Sequence, residues 1–172
     1  MRIPARRVQI LRRANLSGAK MENGNTNWSQ SVTAVVIHEG KVLLSRHTYG
    51  AGKGRLIVPG GYLNHGEMPR DALIREYLEE TGVLIEPREL IGMRFNRKDW
   101  YAAFRAEYVS GEARSDHDEN SEAIWVDVDE ALTRDDVPDL TKKLIKCALS
   151  GGGFSEISYD GVDQQRALFG AE

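Results

Sequence analysis

The stretch from Gly61 to Val83 reads Gly-Tyr-Leu-Asn-His-Gly-Glu-Met-Pro-Arg-Asp-Ala-Leu-Ile-Arg-Glu-Tyr-Leu-Glu-Glu-Thr-Gly-Val. On a helix, residues three and four apart share a face, so Glu76, Glu79 and Glu80 point the same way. Glu67 adds a fourth carboxylate from just ahead of the helix. Carboxylates crowded together without matching lysines repel one another, and a hard divalent cation is the natural counterweight. Magnesium suits such a face because it takes a few carboxylates and fills its remaining positions with water and phosphate oxygens. The chemistry on offer is that of a bound cation that keeps water in its sphere and draws in the phosphate oxygens of a substrate. Arg75, next to the cluster, can grip both oxygens of Glu67 and so hold the preceding loop on the helix. Taken alone, Glu79-Glu80 reads equally well as an acidic helix face turned to solvent.

The elements that position this stretch follow from the residue pattern. Ser31 to His38 is rich in β-branched residues and reads as a strand. Glu39-Gly40 turns the chain into a second strand, Lys41 to Arg46. Tyr49 to Gly54 is a glycine-rich loop without the spacing of a nucleotide-binding motif. After Val58-Pro59-Gly60-Gly61 the period becomes helical. Pro69 suits a first turn, Ala72, Leu73 and Tyr77 form a buried stripe, and Gly82 supplies the stop. Further strands are expected at about Leu90 to Asn96, Trp100 to Tyr108 and Ala123 to Val128, and helices at about Asp129 to Thr133 and Leu140 to Leu149. Strands that mix with helices in this way indicate an α/β or α+β class with a mixed sheet. Residues 29–150 form the main domain. Residues 1–28, with six Lys or Arg and no aromatic before Trp28, read as a basic and polar appendage. Residues 151–172 read as a tail with a last turn near Asp163 to Leu168.

The stretch resembles the signature of the Nudix hydrolases position for position. That signature runs Gly, five residues, Glu, seven residues, Arg-Glu, an apolar residue, any residue, Glu-Glu, any residue, Gly and an apolar residue. Here these are Gly61, Glu67, Arg75, Glu76, Tyr77, Glu79, Glu80, Gly82 and Val83. Tyr77 departs from the usual aliphatic residue, but its apolar body makes this a matter of packing. The resemblance covers roughly residues 30 to 149. It implies an α/β/α sandwich with a mixed β-sheet, a metal-facing carbonyl at Gly61, metal ligands at Glu76, Glu79 and Glu80, an orienting Arg75 and a supporting Glu67. Magnesium, or manganese in its place, is the implied cofactor. Glu76 is the first candidate for the general base. Glu119 or Glu122, just before Trp125, is the reserve, because some family members recruit a carboxylate from that loop.

The substrate is less legible. Arg46 and His47 end a strand that, in the resembling fold, runs towards the phosphate site, although a surface ion pair explains Arg46 nearly as well. Trp100, Tyr101 and Phe104 follow the signature and offer rings to a base, or side chains to the core, and strand alternation lets only some of them face a cleft. Tyr101 is carried forward with Arg46 as a substrate contact. The proline that marks ADP-ribose members is absent, Lys98 and Asp99 occupying its neighbourhood.

Composition narrows the rest. Of 172 residues, 23 Lys and Arg nearly balance 26 Asp and Glu, leaving a net charge of −3. That excludes the strong basic surplus expected of a protein whose main partner is bulk nucleic acid. Cys147 stands alone, so no internal disulfide or cysteine-based zinc cage is available, and it reads as a small core residue. No apolar run approaches the length of a membrane span. The expectation is therefore a cytoplasmic enzyme acting on a small nucleotide, with a homodimer left open. The leading activity is magnesium-dependent hydrolysis of the pyrophosphate linkage in a nucleoside diphosphate joined to another moiety. The alternatives are a house-cleaning nucleoside triphosphate or RNA 5′-end pyrophosphohydrolase, and a ligand-sensing module that keeps the fold without catalysis.

Overall fold

A computed structural model describes residues 29–96, 99–158 and 167–171. The appendage expected at residues 1–28 and most of the turn expected near Asp163 lie outside the described residues.

Strand β1 (Ser29–His38) organises the molecule. Its run of Val32, Thr33, Ala34, Val35 and Val36 is buried on both faces, which is what a near-continuous β-branched strand suits. Glu39 and Gly40 turn it into β2 (Lys41–His47), with His38 opposite Lys41. Then come β3 (Leu56–Ile57), β4 (Gly60–Tyr62), helix α1 (Pro69–Thr81), β5 (Leu84–Phe95), β6 (Asp99–Ser110), β7 (Asn120–Asp127), α2 (Val128–Thr133) and α3 (Asp139–Leu149). The seven strands make one mixed sheet in the order β3-β2-β1-β6-β5, with β4 added on β1 and β7 on β2. Its one parallel pairing joins β1 to β6, from Ser29 opposite Asp99 to Val36 opposite Ala106.

The two faces of the sheet feed two cores. Val32, Ala34, Val36 and Leu43 meet Ala72, Leu73 and Tyr77 of α1. Val35, Val42 and Leu44 meet Ala131 of α2 and Leu144, Ile145 and Ala148 of α3. The result is the α/β/α sandwich that the resemblance implied, with the mixed sheet that the pattern indicated. Helix α1 begins with Pro69 and is closed by Gly82 in the left-handed conformation, its N–H donating to the Leu78 carbonyl. No helix among the described residues is long and apolar enough to cross a membrane.

Two elements extend past their expected bounds. Strand β5 begins at Leu84 rather than near Leu90, because Val83, Ile85 and Pro87 alternate inward at once after Gly82 and an edge strand tolerates the proline. The tail is built onto the domain. Leu90 and Phe154 exchange backbone hydrogen bonds of 2.9 Å each way, and β8 (Ser155–Ile157) pairs with β9 (Leu168–Gly170). Phe169 then meets Phe104 edge to face at 5.3 Å between ring centres.

Tyr77, the residue that departs from the family pattern, is fully buried and donates its hydroxyl hydrogen bond to the Ala34 carbonyl of β1. It thereby joins α1 to the central strand. Replacing Tyr77 with Phe is expected to cost about 1 kcal/mol, the net worth of one hydrogen bond. Tyr77→Ala should cost about 3–5 kcal/mol, as expected for emptying an aromatic site in a packed core. Urea unfolding of the two variants checks this. No loss in Tyr77→Phe beside a full loss in Tyr77→Ala would show that the hydroxyl contributes nothing and the ring everything.

Candidate active site

The site forms where β4 passes over the middle of α1. Thr33 of β1 donates to the carbonyls of Val58 (3.3 Å) and Pro59 (2.5 Å), which fixes the entry to the Gly60-Gly61 turn. Gly60 has φ of 148°, and a Cβ there would collide with the β1 backbone at Val32 and Thr33. A Cβ on Gly61 would overlap the carboxylate of Glu76. The two glycines therefore let the strand lie directly on the acidic face of the helix.

Arg75 ties that face together. Its Nε and Nη2 each lie 2.8 Å from an oxygen of Glu67, a bidentate pair. Its Nη1 reaches Glu76 at 2.7 Å and Glu79 at 3.3 Å, and Nη2 also donates to the Tyr62 carbonyl at 3.2 Å. This guanidinium pulls the carboxyl pKa of Glu67 down to about 2, helped by the Asn64 N–H. Glu76 goes the other way. Burial raises its pKa, Arg75 opposes the rise, and Glu79 and Glu119 add to it.

Glu80 is the extreme case. Only 3% exposed, it accepts one hydrogen bond, from the Gly60 N–H at 3.2 Å. Burial pushes its pKa up to about 8, with further contributions from Glu76, Glu119 and Asp116. Glu79 leans out, its side chain 62% exposed. The expected common face is thus divided: Glu76 and Glu80, one turn apart, turn in under the glycines, and Glu79 sits at the rim.

A cleft of about 580 Å3 opens beside Glu76 and Gly61. Glu119 lines it, its carboxylate accepting from the Tyr49 hydroxyl at 2.9 Å and its carbonyl from the Thr48 N–H at 3.0 Å. His47 also lines it, and burial lowers its pKa against the pull of Glu119 and Asp116. Tyr101 lines the far part, with the Arg94 guanidinium 4.8 Å from its ring centre. Phe104 is instead buried in the core under α1, and Trp100 is not among the lining residues.

Arg46 and Glu122 do not reach the cleft. They face each other across the β2–β7 ladder, 2.7 Å apart, and Arg46 also meets Asp136 at 3.1 Å. Alternation explains it: Arg46 follows Val42 and Leu44, and Glu122 precedes Ile124 and Val126, all on the face that carries α2 and α3. A register shift between Arg46 and His47 leaves Ser121 with no residue directly opposite it on β2, so Asn120 stands opposite His47 and Glu119 reaches the cleft. His47, named beside Arg46 at the strand end, does line the cleft, and the residues that sequence reasoning passed over here are Tyr49, Tyr62, Arg94 and Asp99.

A family model described as the NUDIX domain matches residues 28–146. The chain belongs to the Nudix family. A MutT-like protein of Streptomyces ambofaciens is 33% identical over 136 residues, covering 77% of this chain and 84% of that protein. An NAD-capped RNA hydrolase, NudC, of Vibrio parahaemolyticus is 33% identical over 101 residues, but this chain spans 38% of its length. A solved Nudix hydrolase of Nitrosomonas europaea superposes with a TM-score of 0.66 at 26% identity, covering 78% of this chain and 99% of that one.

The Nudix box here suits a hard divalent cation in the chemistry of its donors. Glu76, Glu80, Glu119 and the Gly61 backbone all offer oxygen ligands, and burial first, with the neighbouring carboxylates adding to it, raises the pKa of Glu76 and Glu80. Among the described residues, no three His, Cys, Asp or Glu side chains are gathered closely enough to hold an ion unaided. That is compatible with magnesium, which uses one or two carboxylates and completes its sphere with water and substrate.

The raised pKa of Glu80 has a consequence for stability. Between the ordinary glutamate value of 4.5 and about 8, the folded protein holds a proton that the unfolded chain has released. Stability must therefore fall as pH rises through that window. In chelator, the thermal midpoint is expected to drop steadily over this range, Glu80→Gln to flatten the slope, and magnesium to restore stability at its alkaline end. A flat wild-type profile would mean that Glu80 ionises freely in the folded protein.

Proposed function

We propose that this Nudix chain hydrolyses the pyrophosphate linkage of a nucleoside diphosphate joined to another moiety, with magnesium as cofactor and manganese as a substitute. The observation that carries this reading is the pairing of an acidic end of the cleft, lined by Glu76 and Glu119 beside Gly61 with Glu80 buried behind them, with a further part lined by Tyr101 and Arg94. A cleft of this size accommodates one nucleotide-sized ligand. Of the ligands the resemblance implies, the Gly61 carbonyl, Glu76 and Glu80 would hold the metal, with Glu79 at the rim reaching it through water. When bound, it supplies positive charge for the diphosphate oxygens and Lewis acidity at phosphorus.

The protein's own groups do the rest. Glu76 takes the proton from the attacking water as its oxygen forms the new bond to phosphorus and the bridging P–O bond breaks. Its raised pKa brings it closer to neutrality, where a general base works best. Arg75 holds one Glu76 oxygen at 2.7 Å, leaving the other for the proton. Glu119, anchored by Tyr49 at the opposite wall, is the alternative base in place of Glu122. The likeness to NudC brings NAD-capped RNA into consideration beside free dinucleotides. All the box carboxylates are present, which favours an enzyme over a sensing module.

Phosphatase-coupled phosphate release, measured across a panel of nucleoside diphosphate compounds, nucleoside triphosphates and NAD-capped RNA, tests the activity. On the best substrate, Glu76→Gln is expected to lower turnover ~100-fold or more, with the fold and KM little changed. Glu122→Gln should behave like the wild type, since its partner Arg46 keeps Asp136. Wild-type turnover in Glu76→Gln with severe loss in Glu119→Gln would move the base to the opposite wall. Full activity in both would count against the mechanism.

A further inference from the structure

Where β2 runs towards the cleft, the sheet buries polar groups on a face that is apolar elsewhere. Ser45 and His47 alternate with Leu44 and Arg46, so they project with Leu43 onto the face that carries α1. Across the ladder Ala123 stands opposite Ser45, and Asn120 opposite His47. Ser45 and Asn120 are fully buried. Ser45 Oγ, His47 Nε2 and both amide atoms of Asn120 lie inside the protein with no hydrogen-bond partner in it. Among the described residues, one other side-chain atom shares that condition, Asp99 Oδ1. Four orphaned atoms on one patch are a cost that a packed interior does not leave standing.

Same-face neighbours are about 6.7 Å apart along a strand and about 4.8 Å apart across it. The Ala123 corner of this square holds only a methyl group, and the room above it borders the three polar side chains. Hydrogen-bonding character decides what fits there. Asn120 offers two N–H donors and a carbonyl acceptor, Ser45 a hydroxyl that serves either way, and a neutral imidazole one nitrogen of either kind. A cation takes acceptors only, and an anion donors only. A water molecule takes both, and about three partners are what a buried water usually has.

The square lies directly behind Glu119. Asp116 caps the turn that carries this residue, its carboxylate accepting from the N–H groups of Asp118 and Asn120 at 3.1 Å each and of Glu119 at 3.4 Å. Ser115 donates to the Asn120 carbonyl, and the Thr48 hydroxyl donates to the carbonyls of Asp118 and Glu119 at 3.0 and 2.9 Å. These bonds shape the turn from within and along its rim. The buried side chain of Asn120 roots it in the interior.

We propose that Ser45, His47 and Asn120 enclose an ordered water that bridges β2 and β7 at their register shift, which makes Asn120 the positioning residue for Glu119. This goes beyond the hydrolase reading, and its test needs no substrate. Ser45→Ala, Asn120→Ala and the double variant are unfolded in urea, and amide exchange is followed by NMR. Ser45→Ala is expected to lower the folding constant about fivefold, the scale of one hydrogen bond, although the hydroxyl meets no polar atom of the protein. Asn120→Ala should cost more, because it also opens space. The double variant should lose less than the sum, since either change alone already releases the same water. The Thr48 amide donates to the Glu119 carbonyl, and in Asn120→Ala its exchange should quicken roughly tenfold beyond any change at the β1 amides. Asn120→Ser takes the place of Asn120→Ala where the latter does not fold. A crystal structure should show the water within about 3.2 Å of both Ser45 Oγ and the Asn120 amide. Ser45→Ala at wild-type stability or above, or strictly additive losses, overturns the water, because relief of an unserved hydroxyl gives the first and independent sites give the second. Thr48 and β1 amides that quicken together overturn the link from Asn120 to Glu119.

Discussion

Arg75 joins three pieces of chain: the loop carrying Glu67, the short strand β4 through the Tyr62 carbonyl, and helix α1 through Glu76. Strand β4 is three residues long and pairs only with β1, so a large share of its placement depends on this guanidinium and on the Gly60 to Glu80 hydrogen bond. The planar fork of arginine serves both oxygens of Glu67 while a third nitrogen serves Glu76, an arrangement that the single ammonium of lysine does not offer. Without that cation, Glu67 and Glu76 would face each other uncompensated in a partly buried space.

The acidity of the site is enforced by the apolar side of the same helix. Leu73 and Tyr77 are anchored under β1, and residues three positions further on share their side of the helix. Those residues are Glu76 and Glu80. Seating the helix by its apolar stripe thus draws two carboxylates inward, where burial favours their neutral forms. The fold stores this tension at one place, and the place is where a cation of hard chemistry has the most to offer.

Much of this was written in residue type and spacing. The start of α1 at Pro69, its end at Gly82, its buried stripe and the Glu39-Gly40 turn all depend on neighbours within a few positions, and the pattern reports such local effects directly. The box carboxylates were legible for the same reason. What spacing left open was which candidates the strand partners turn into the cleft. Arg46 and Glu122 each looked like a residue aimed at phosphate chemistry, yet pairing and alternation turn both to the far face, where they neutralise each other. Glu119 reaches the cleft because a register irregularity near Ser121 reorients the chain just before β7, a property of two strands and not of either one. Tyr62, Tyr101 and Arg94 come from three strands, each carried into line by Ser31 or by its neighbour in the sheet.

Strand β1 belongs to both cores at once, giving Val32, Ala34 and Val36 to one side and Val35 to the other. Neither hydrophobic layer can open without uncovering the strand that the other needs. The domain should accordingly behave as a single cooperative unit in which partial melting of one layer has no stable product. Amide protons at the centre of β1 would then exchange only through global unfolding, and the floor of the cleft, made by the first residues of that same strand, would lie beside the slowest-exchanging segment of the molecule.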